Sequence, residues 1–545
     1  MKHHRSPFAI KLPFLLSIAI AAGVFIGATM FGKSSNSSKN GDPLKLAIKY
    51  RDILNYIDQN YVDTVNTTEL VDYSITKMLE KLDPHSVYIP AQEVEAVNQE
   101  LKGSFEGVGI EFSLVKDTIY VVAPISGGPS ESVGIKSGDK IIKVNDENVA
   151  GVGITNKGVF DRLRGSKGSK VRLKILRKEI KELLSFEITR DKIPQFSIDV
   201  SYMVDHKTGY IKMSHFSSTT YDEFRKALTE LTDQGMTQLM LDLRDNPGGL
   251  LDRAIRICDE LLAESNLIVY TKSKDGRFDE RFEATDRGNF QTQPIIVLIN
   301  EGSASASEIV SGAIQDNDRG LIVGRRSFGK GLVQLPINLT DGSELRLTIS
   351  RYYTPSGRSI QKPYTSGKLE DYEMEVYKRF KHGELFTADS TKFNDSLKYY
   401  TKKGRIVYGG GGIMPDYFVP RDTSMISKYL ISLVASNNIR EFALNYAFKN
   451  KKSLEKMKYD NFLKNFQVTD QLLKEIIQLG EKNKVEFRKE EFEQSKEFIK
   501  NQVKAIIART VWGNKQAYPI FHQLDHEFQE ALKLFDKTKT LLDKK

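Results

Sequence analysis

"QLMLDLRDNPGGLLDRAIRICDELL", residues 238–262, runs from a β-type stretch through a turn with two glycines into an amphipathic helical pattern. The same order recurs at 294–316, where "PIIVLIN" leads through "EGSAS" into "ASEIVSGAIQD". It is preceded at 209–235 by "GYIKMSHF" and the helical "TYDEFRKALTELTDQG". Strands that alternate with helices pair in parallel through crossover helices, which predicts an α/β core over 191–420. Ligands of such sheets bind beyond the carboxyl ends of the strands, so both glycine-rich turns are expected to line one crevice.

Working outward, residues 101–190 are rich in glycine and in short β-type runs, with one helical interruption, "NKGVFDRLRG", which predicts a small β domain with a groove-forming helix. Residues 44–100 have a helical pattern that two prolines break at "LDPHSVYIP". A charged insert, 364–403, interrupts the core before "GRIVYGGGGIMPDYFVP". From 421 to 545 the Lys/Glu-rich segments read as surface-exposed helices of a packing or oligomerisation domain, and the oligomeric state stays open.

A chain of 545 residues is too long for one core. Its net charge of +9 is spread over 80 basic and 71 acidic residues without a basic block interleaved with aromatics, so no nucleic-acid partner is expected. One cysteine, Cys258, excludes an intrachain disulfide framework and any multi-cysteine metal site, and reads as a buried core thiol. The basic "MKHHRSPFAIK" leads into an uncharged apolar stretch at 12–31, close to the ~20 residues that span a bilayer. Residues 1–32 are thus expected to form a cytoplasmic stub and single-pass anchor in a bacterial inner membrane, with the rest on the outer, periplasmic side after a flexible tether at 33–43. A signal peptide cut near "AIAAG" is the rival reading.

The turn "EGSASASEI" (301–309) offers Ser303, Ser305 and Ser307 at the junction of a buried strand and a helix, where free N–H groups and the helix dipole favour developing negative charge. "SASE" also fits a capping box, in which Ser305 caps the helix. No GxSxG elbow occurs, and His206 and His215 are the histidines placed to serve as a base. In "GRRSFGKGLVQL", Lys330 is flanked by glycines and Gln334 follows four residues on, a spacing that puts both on one face. A lysine base must be neutral, yet with a reference pKa near 10.4 only about 1 in 2000 is unprotonated at pH 7 in water, so the role requires burial.

"LDPHSVYI" (82–89), "GVGI" (107–110), "GIKSGDKIIKVND" (134–146), "LRGSKGSKV" (163–171), "DLRDNPGGLL" (242–251), "GSASASEI" (302–309), "GKGLVQ" (329–334), "YYTPSGRSIQ" (352–361) and "GGGGIMPD" (409–416) follow one another in a specific order. In that ordered set the chain resembles the carboxyl-terminal processing, or tail-specific, proteases, serine endopeptidases with a Ser/Lys dyad and an embedded PDZ domain. The resemblance implies a parallel-sheet α/β core of the crotonase/Clp-protease kind with an inserted all-β PDZ domain, and neither cofactor nor metal. It makes Ser305 the nucleophile, Lys330 the general base and Gln334 the side chain that orients it. Backbone N–H groups of Ala306 and of Gly248 or Gly249 would hold the oxyanion, the choice of glycine being open; Ser303 and Ser307 become structural. Gly107, Val108, Gly109 and Ile110 would form the loop that receives a substrate's terminal carboxylate. Arg164 would either couple that loop to the active site or remain a solvated loop arginine. Protein substrates with apolar or unstructured C-termini are the implied partners. Two other readings are a PDZ scaffold on an inactive core, which predicts loss of Ser305, Lys330 or Gln334, and an acyl-CoA hydratase or isomerase, which predicts neither PDZ domain nor export signal.

Overall fold

The computed structural model describes residues 42–125, 127–178, 180–388 and 395–543. The described residues divide into two compact units, one ending at residue 75 and the other beginning at residue 76. In the first, helix Pro43–Asn60 starts at Asp42, whose side chain accepts from Leu44 N at 3.0 Å. The apolar stretch 12–31 lies outside the described residues, among which no helix is long and apolar enough to cross a membrane.

Within the second unit, the chain enters and leaves the small β domain through paired strands, Ser104–Gly107 against Asp191–Pro194. Between them, antiparallel strands Ile110–Leu114, Ile119–Pro124, Lys140–Val144, Lys170–Leu176 and Leu184–Thr189 lie side by side in that order, leaving Ile110–Leu114 as an edge. Period-two alternation builds the core: Val171, Leu173 and Ile175 point inward with Ile119, Val121 and Val159, while the intervening residues face out.

The α/β core has a six-stranded sheet in the order Ile198–Met203, Thr208–Met213, Gln238–Asp242, Ile295–Ile299, Leu321–Gly324, Tyr417–Phe418. Its first pair is antiparallel and the other four are parallel, as the strand–helix alternation requires. Gln238–Asp242 and Ile295–Ile299 are buried throughout. Leu239, Leu241, Ile295 and Val297 face helices Leu251–Leu261 and Ala306–Asp316, and Met240, Ile296 and Leu298 face the opposite side. A second sheet sets Val87–Ile89, Leu267–Ser273 and Leu332–Asn338 against the long strand Glu344–Tyr353.

The C-terminal helices depart from the expectation of surface exposure. Helices Lys428–Ala435 through Asn514–Phe521 build their own core, with Ile499, Val503 and Ile507 fully buried. Helices His526–Leu532 and Phe535–Asp543 cover the far face of the six-stranded sheet, where Phe528 and Phe535 pack against Tyr210, Met240 and Leu298. Each such phenylalanine stabilises the fold by roughly 1.5–3 kcal/mol. Much of their Lys/Glu content belongs to the outer faces, while Glu441 is buried and Glu527 pairs with Arg325; the apolar positions recur at helical spacing and take the third layer of the sandwich.

Candidate active site

Two turns at the carboxyl ends of Gln238–Asp242 and Ile295–Ile299 are bonded to each other. Asn300 Oδ1 accepts from Asp245 N at 2.8 Å, and Asn300 Nδ2 donates to Asp245 Oδ1 at 2.9 Å. Ser303 Oγ donates to Leu243 O at 2.8 Å and Ser307 Oγ to Asn246 O at 2.9 Å, both hydroxyls being fully buried. Ser303 and Ser307 are thus spent on joining the turns.

Ser305 differs from its neighbours. It sits at the N-terminus of helix Ala306–Asp316 with φ +53° and ψ −113°, a conformation that costs an L-residue about 1–3 kcal/mol and is sustained by its surroundings. Its N–H donates to Glu308 Oε2 at 2.9 Å as part of the capping box the sequence announces. Ser305 also lines a cavity of about 370 Å³ with Lys330 and Gln334. Phe216, Leu251, Ile309 and Leu332 supply the apolar wall.

The glycines of "DNPGG" are fixed by close approach. A Cβ on Gly248 would stand 2.7 Å from Ala304 O and one on Gly249 2.1 Å from Phe216 O, both at positive φ. Gly248 N–H donates to Asn246 Oδ1 at 2.9 Å, while Phe216 N donates to Gly248 O and Leu250 N to Phe216 O. These bonds occupy Gly248 N–H and leave Gly249 N–H out of the turn's internal bonding.

Lys330 enters from the other sheet, two residues before strand Leu332–Asn338. Burial pushes its ammonium pKa below 10.5; Glu308 and Asp83 oppose the shift and Arg346 adds to it. Glu308, fully buried, accepts from Lys330 N at 2.8 Å, Gly329 N at 2.7 Å and Ser327 Oγ at 2.5 Å. Burial raises its own pKa to about 7 against those bonds. Tyr352 Oη donates to Ser305 O at 3.2 Å and also to Lys330 O, tying the same two residues through their carbonyls. Gln334 lines the cavity, but its amide Nε2 donates to Thr348 Oγ1 at 3.3 Å, and Thr348 in turn donates to Asp83 Oδ1 at 3.0 Å. His215 also borders the cavity, its ring held by Ser214 Oγ at 3.1 Å and Ser197 Oγ at 3.5 Å.

Glu308, Tyr352, Asp83 and His85 were not singled out by sequence reasoning. "SASE" signals Glu308 only as a cap partner, and "DPHS" carries the other acid and the imidazole. His85 is held neutral, its pKa brought down to about 4 by burial and then by the nearby Lys330.

In the small β domain, Val108 O accepts from Ser130 N and Oγ, and Gly109 O from Ile125 N. Gly107 bridges to Arg164, and Ile110 opens the unpaired edge, beside which Phe112 and Phe160 meet edge-to-face at 5.6 Å. Arg164 is no solvated loop residue: its guanidinium lies over Phe105 and Phe160, at 4.9 and 4.5 Å, and Nη1 donates to Gln99 Oε1 at 3.0 Å.

Residues 207–374 match peptidase family S41, 107–188 match the PDZ domain, and 429–513 match a family of unknown function. A carboxy-terminal-processing protease of Bartonella bacilliformis is 37% identical over 350 residues, 63% of this chain and 80% of that one. The carboxy-terminal processing protease CtpA of Bacillus subtilis is 31% identical over 389 residues, 70% of this chain and 81% of that one. Among solved structures, a photosystem II D1 C-terminal processing protease is 28% identical, covering 58% of this chain and 90% of that one with a TM-score of 0.34. The chain belongs to peptidase family S41 and is a carboxy-terminal processing serine protease that carries a PDZ domain.

Proposed function

We propose that this protein is an exported, membrane-anchored endopeptidase that binds C-terminal tails of envelope proteins in its PDZ groove and cleaves or degrades them with a Ser305/Lys330 dyad. The observation that carries the reading is the burial of Lys330 in the cavity that Ser305 lines, which favours the neutral amine a base must be. Ser305 Oγ attacks the peptide carbonyl while Lys330 Nζ takes its proton and later hands it to the leaving amine; water then releases the acyl group. Ala306 N–H and Gly249 N–H face the developing oxyanion. Gln334, anchored to Thr348 through its amide nitrogen and lining the same cavity, orients Lys330. Gly107, Val108, Gly109 and Ile110 receive the terminal carboxylate, and the tail adds as a strand along Ile110–Leu114. Arg164 links that groove to helix Ala91–Lys102 through Gln99. The apolar stretch 12–31 is the anchor, with the catalytic part on the periplasmic side of a bacterial inner membrane.

The test is degradation of an unstructured protein with an apolar C-terminus by the wild type, Ser305→Ala and Lys330→Ala. Both variants are expected to be inactive; undiminished cleavage by either removes that residue from the mechanism. An amidated tail is expected to be a poorer substrate, and equal cleavage of it removes tail recognition from the PDZ domain.

A further inference from the structure

The backbone around Lys330 is held from outside by the segment 361–384, most of which lies in the charged insert. Gln361 Oε1 accepts from Gly331 N at 2.8 Å and Lys362 N donates to Gly329 O at 2.9 Å, so both neighbours of Lys330 are pinned. Arg379 donates to Ser327 O at 2.9 Å and to Arg326 O at 2.6 Å, and Arg326 is paired with Glu384 at 2.6 Å.

Tyr372, from the short helix Leu369–Glu373, is the keystone of this arrangement. Its hydroxyl is 2.8 Å from His85 Nε2 and accepts from Gln361 Nε2 at 3.2 Å, and its carbonyl accepts from Lys362 Nζ at 3.1 Å. Lys362 is a buried ammonium between aromatic faces, 3.7 Å from the Phe328 ring centre and 4.1 Å from that of Tyr372. Glu375 completes its surroundings at 3.4 Å. A desolvated cation held this way is attracted by the faces of both rings, and Phe328 lies two residues before Lys330.

We propose that Tyr372 and Lys362 are positioning residues for Lys330, and that residues 361–384 form a strap which clamps the loop 326–331 and keeps water from the base. The inference rests on Lys330 being the base, and it assigns a part in catalysis to Lys362 and Tyr372, which follow the "YYTPSGRSIQ" motif near the end of the 207–374 peptidase match. The charged and titratable groups that face Lys330 are Glu308 from the nucleophile helix, Arg346 from strand Glu344–Tyr353, and Asp83 and His85 from the 82–89 segment. Tyr372 orders the last of these directly.

The experiment compares wild type, Tyr372→Phe and Lys362→Met in the full chain, following kcat, KM, the pH profile of kcat and the melting temperature. Tyr372→Phe keeps the ring under Lys362 and removes only the hydroxyl. Admitting water to Lys330 moves its pKa toward the solution value. The rising limb of kcat is therefore expected to shift up by about half to one pH unit and kcat at pH 7 to fall about three- to tenfold, with KM within twofold. Lys362→Met is expected to shift the limb in the same direction. An unmoved limb overturns the proposal, whether activity is kept or is lost together with a lowered melting temperature. Lys330→Ala separates the two levels: if it stays active the base assignment fails, whereas an inactive Lys330→Ala beside an unmoved Tyr372→Phe limb rejects the strap alone.

Discussion

Ser305 and Lys330 donate their backbone N–H groups to the same oxygen, Oε2 of Glu308, at 2.9 and 2.8 Å. The two residues come from different sheets and are 25 positions apart, yet one buried carboxylate sets the separation of their main chains. The other oxygen of Glu308 holds Gly329 and Ser327, so the whole loop 327–330 is registered against the turn that carries Ser305.

Glu308→Gln puts an amide where four donors converge, and at least one of them loses its acceptor. A bond to a charged acceptor is worth about 1.5–3 kcal/mol, so kcat is expected to fall roughly 10- to 100-fold. KM should change far less, because the apolar wall of the cavity is untouched. Steady-state kinetics on a peptide that lacks a tail for the PDZ groove measures both parameters without interference from groove binding.

Gly249→Ala forces a Cβ to within 2.1 Å of Phe216 O. The turn must move, taking Gly249 N–H with it, and loss of one oxyanion donor costs about 100- to 1000-fold in kcat. The variant is expected to fold with reduced stability and to bind substrate while turning over slowly. A single-turnover acylation rate close to wild type would remove Gly249 from the oxyanion site.

Two histidines, half-buried His85 and buried His522, contribute to the loss of stability in acid. The pKa of His85 and that of His522 are each brought from 6.5 down to about 4, chiefly by burial. The folded state therefore binds fewer protons than the unfolded chain below pH 6.5. The stability these groups contribute is complete above pH 6.5 and is lost as the pH falls toward 4, at about 3 kcal/mol each. His522 stacks on Phe528 at 3.9 Å and pairs with Tyr202 Oη at 2.6 Å, so its protonation loosens the helical layer from the sheet. Denaturant unfolding of His522→Gln is expected to lose less stability than the wild type between pH 6.5 and 4, and an equal loss would remove His522 from the acid response.

The α/β core was legible because its signals are local. Fully apolar runs such as "PIIVLIN", closed by glycine-rich turns and followed by helical periodicity, admit little besides parallel strands with crossover helices. The glycines of "DNPGG" announced a tight turn, although only the folded turn separates Gly248, whose N–H is taken by Asn246, from Gly249. The pairing of Ser305 with Lys330 depended on ordered motifs rather than on periodicity, since nothing local relates a helix N-terminus to a strand of another sheet. Glu308 was hidden in plain view: a cap partner and an acceptor for a distant loop share one sequence pattern. The C-terminal helices misled by composition, because Lys and Glu on the outer faces outnumber the buried Phe528, Phe535 and Leu541. Tyr372 carried no signal, its role arising from contacts with residues 287 and 11 positions away.

The most direct test of the dyad is the rate at which a fluorophosphonate labels the protein as a function of pH, with the labelled peptide located by mass spectrometry. The expected label sits on Ser305, and its rate rises with pH through a group that titrates below 10.5, the direction in which burial moves Lys330. Lys330→Ala is expected to abolish the labelling. A label on Ser303 or Ser307, or wild-type labelling of Lys330→Ala, would contradict the dyad.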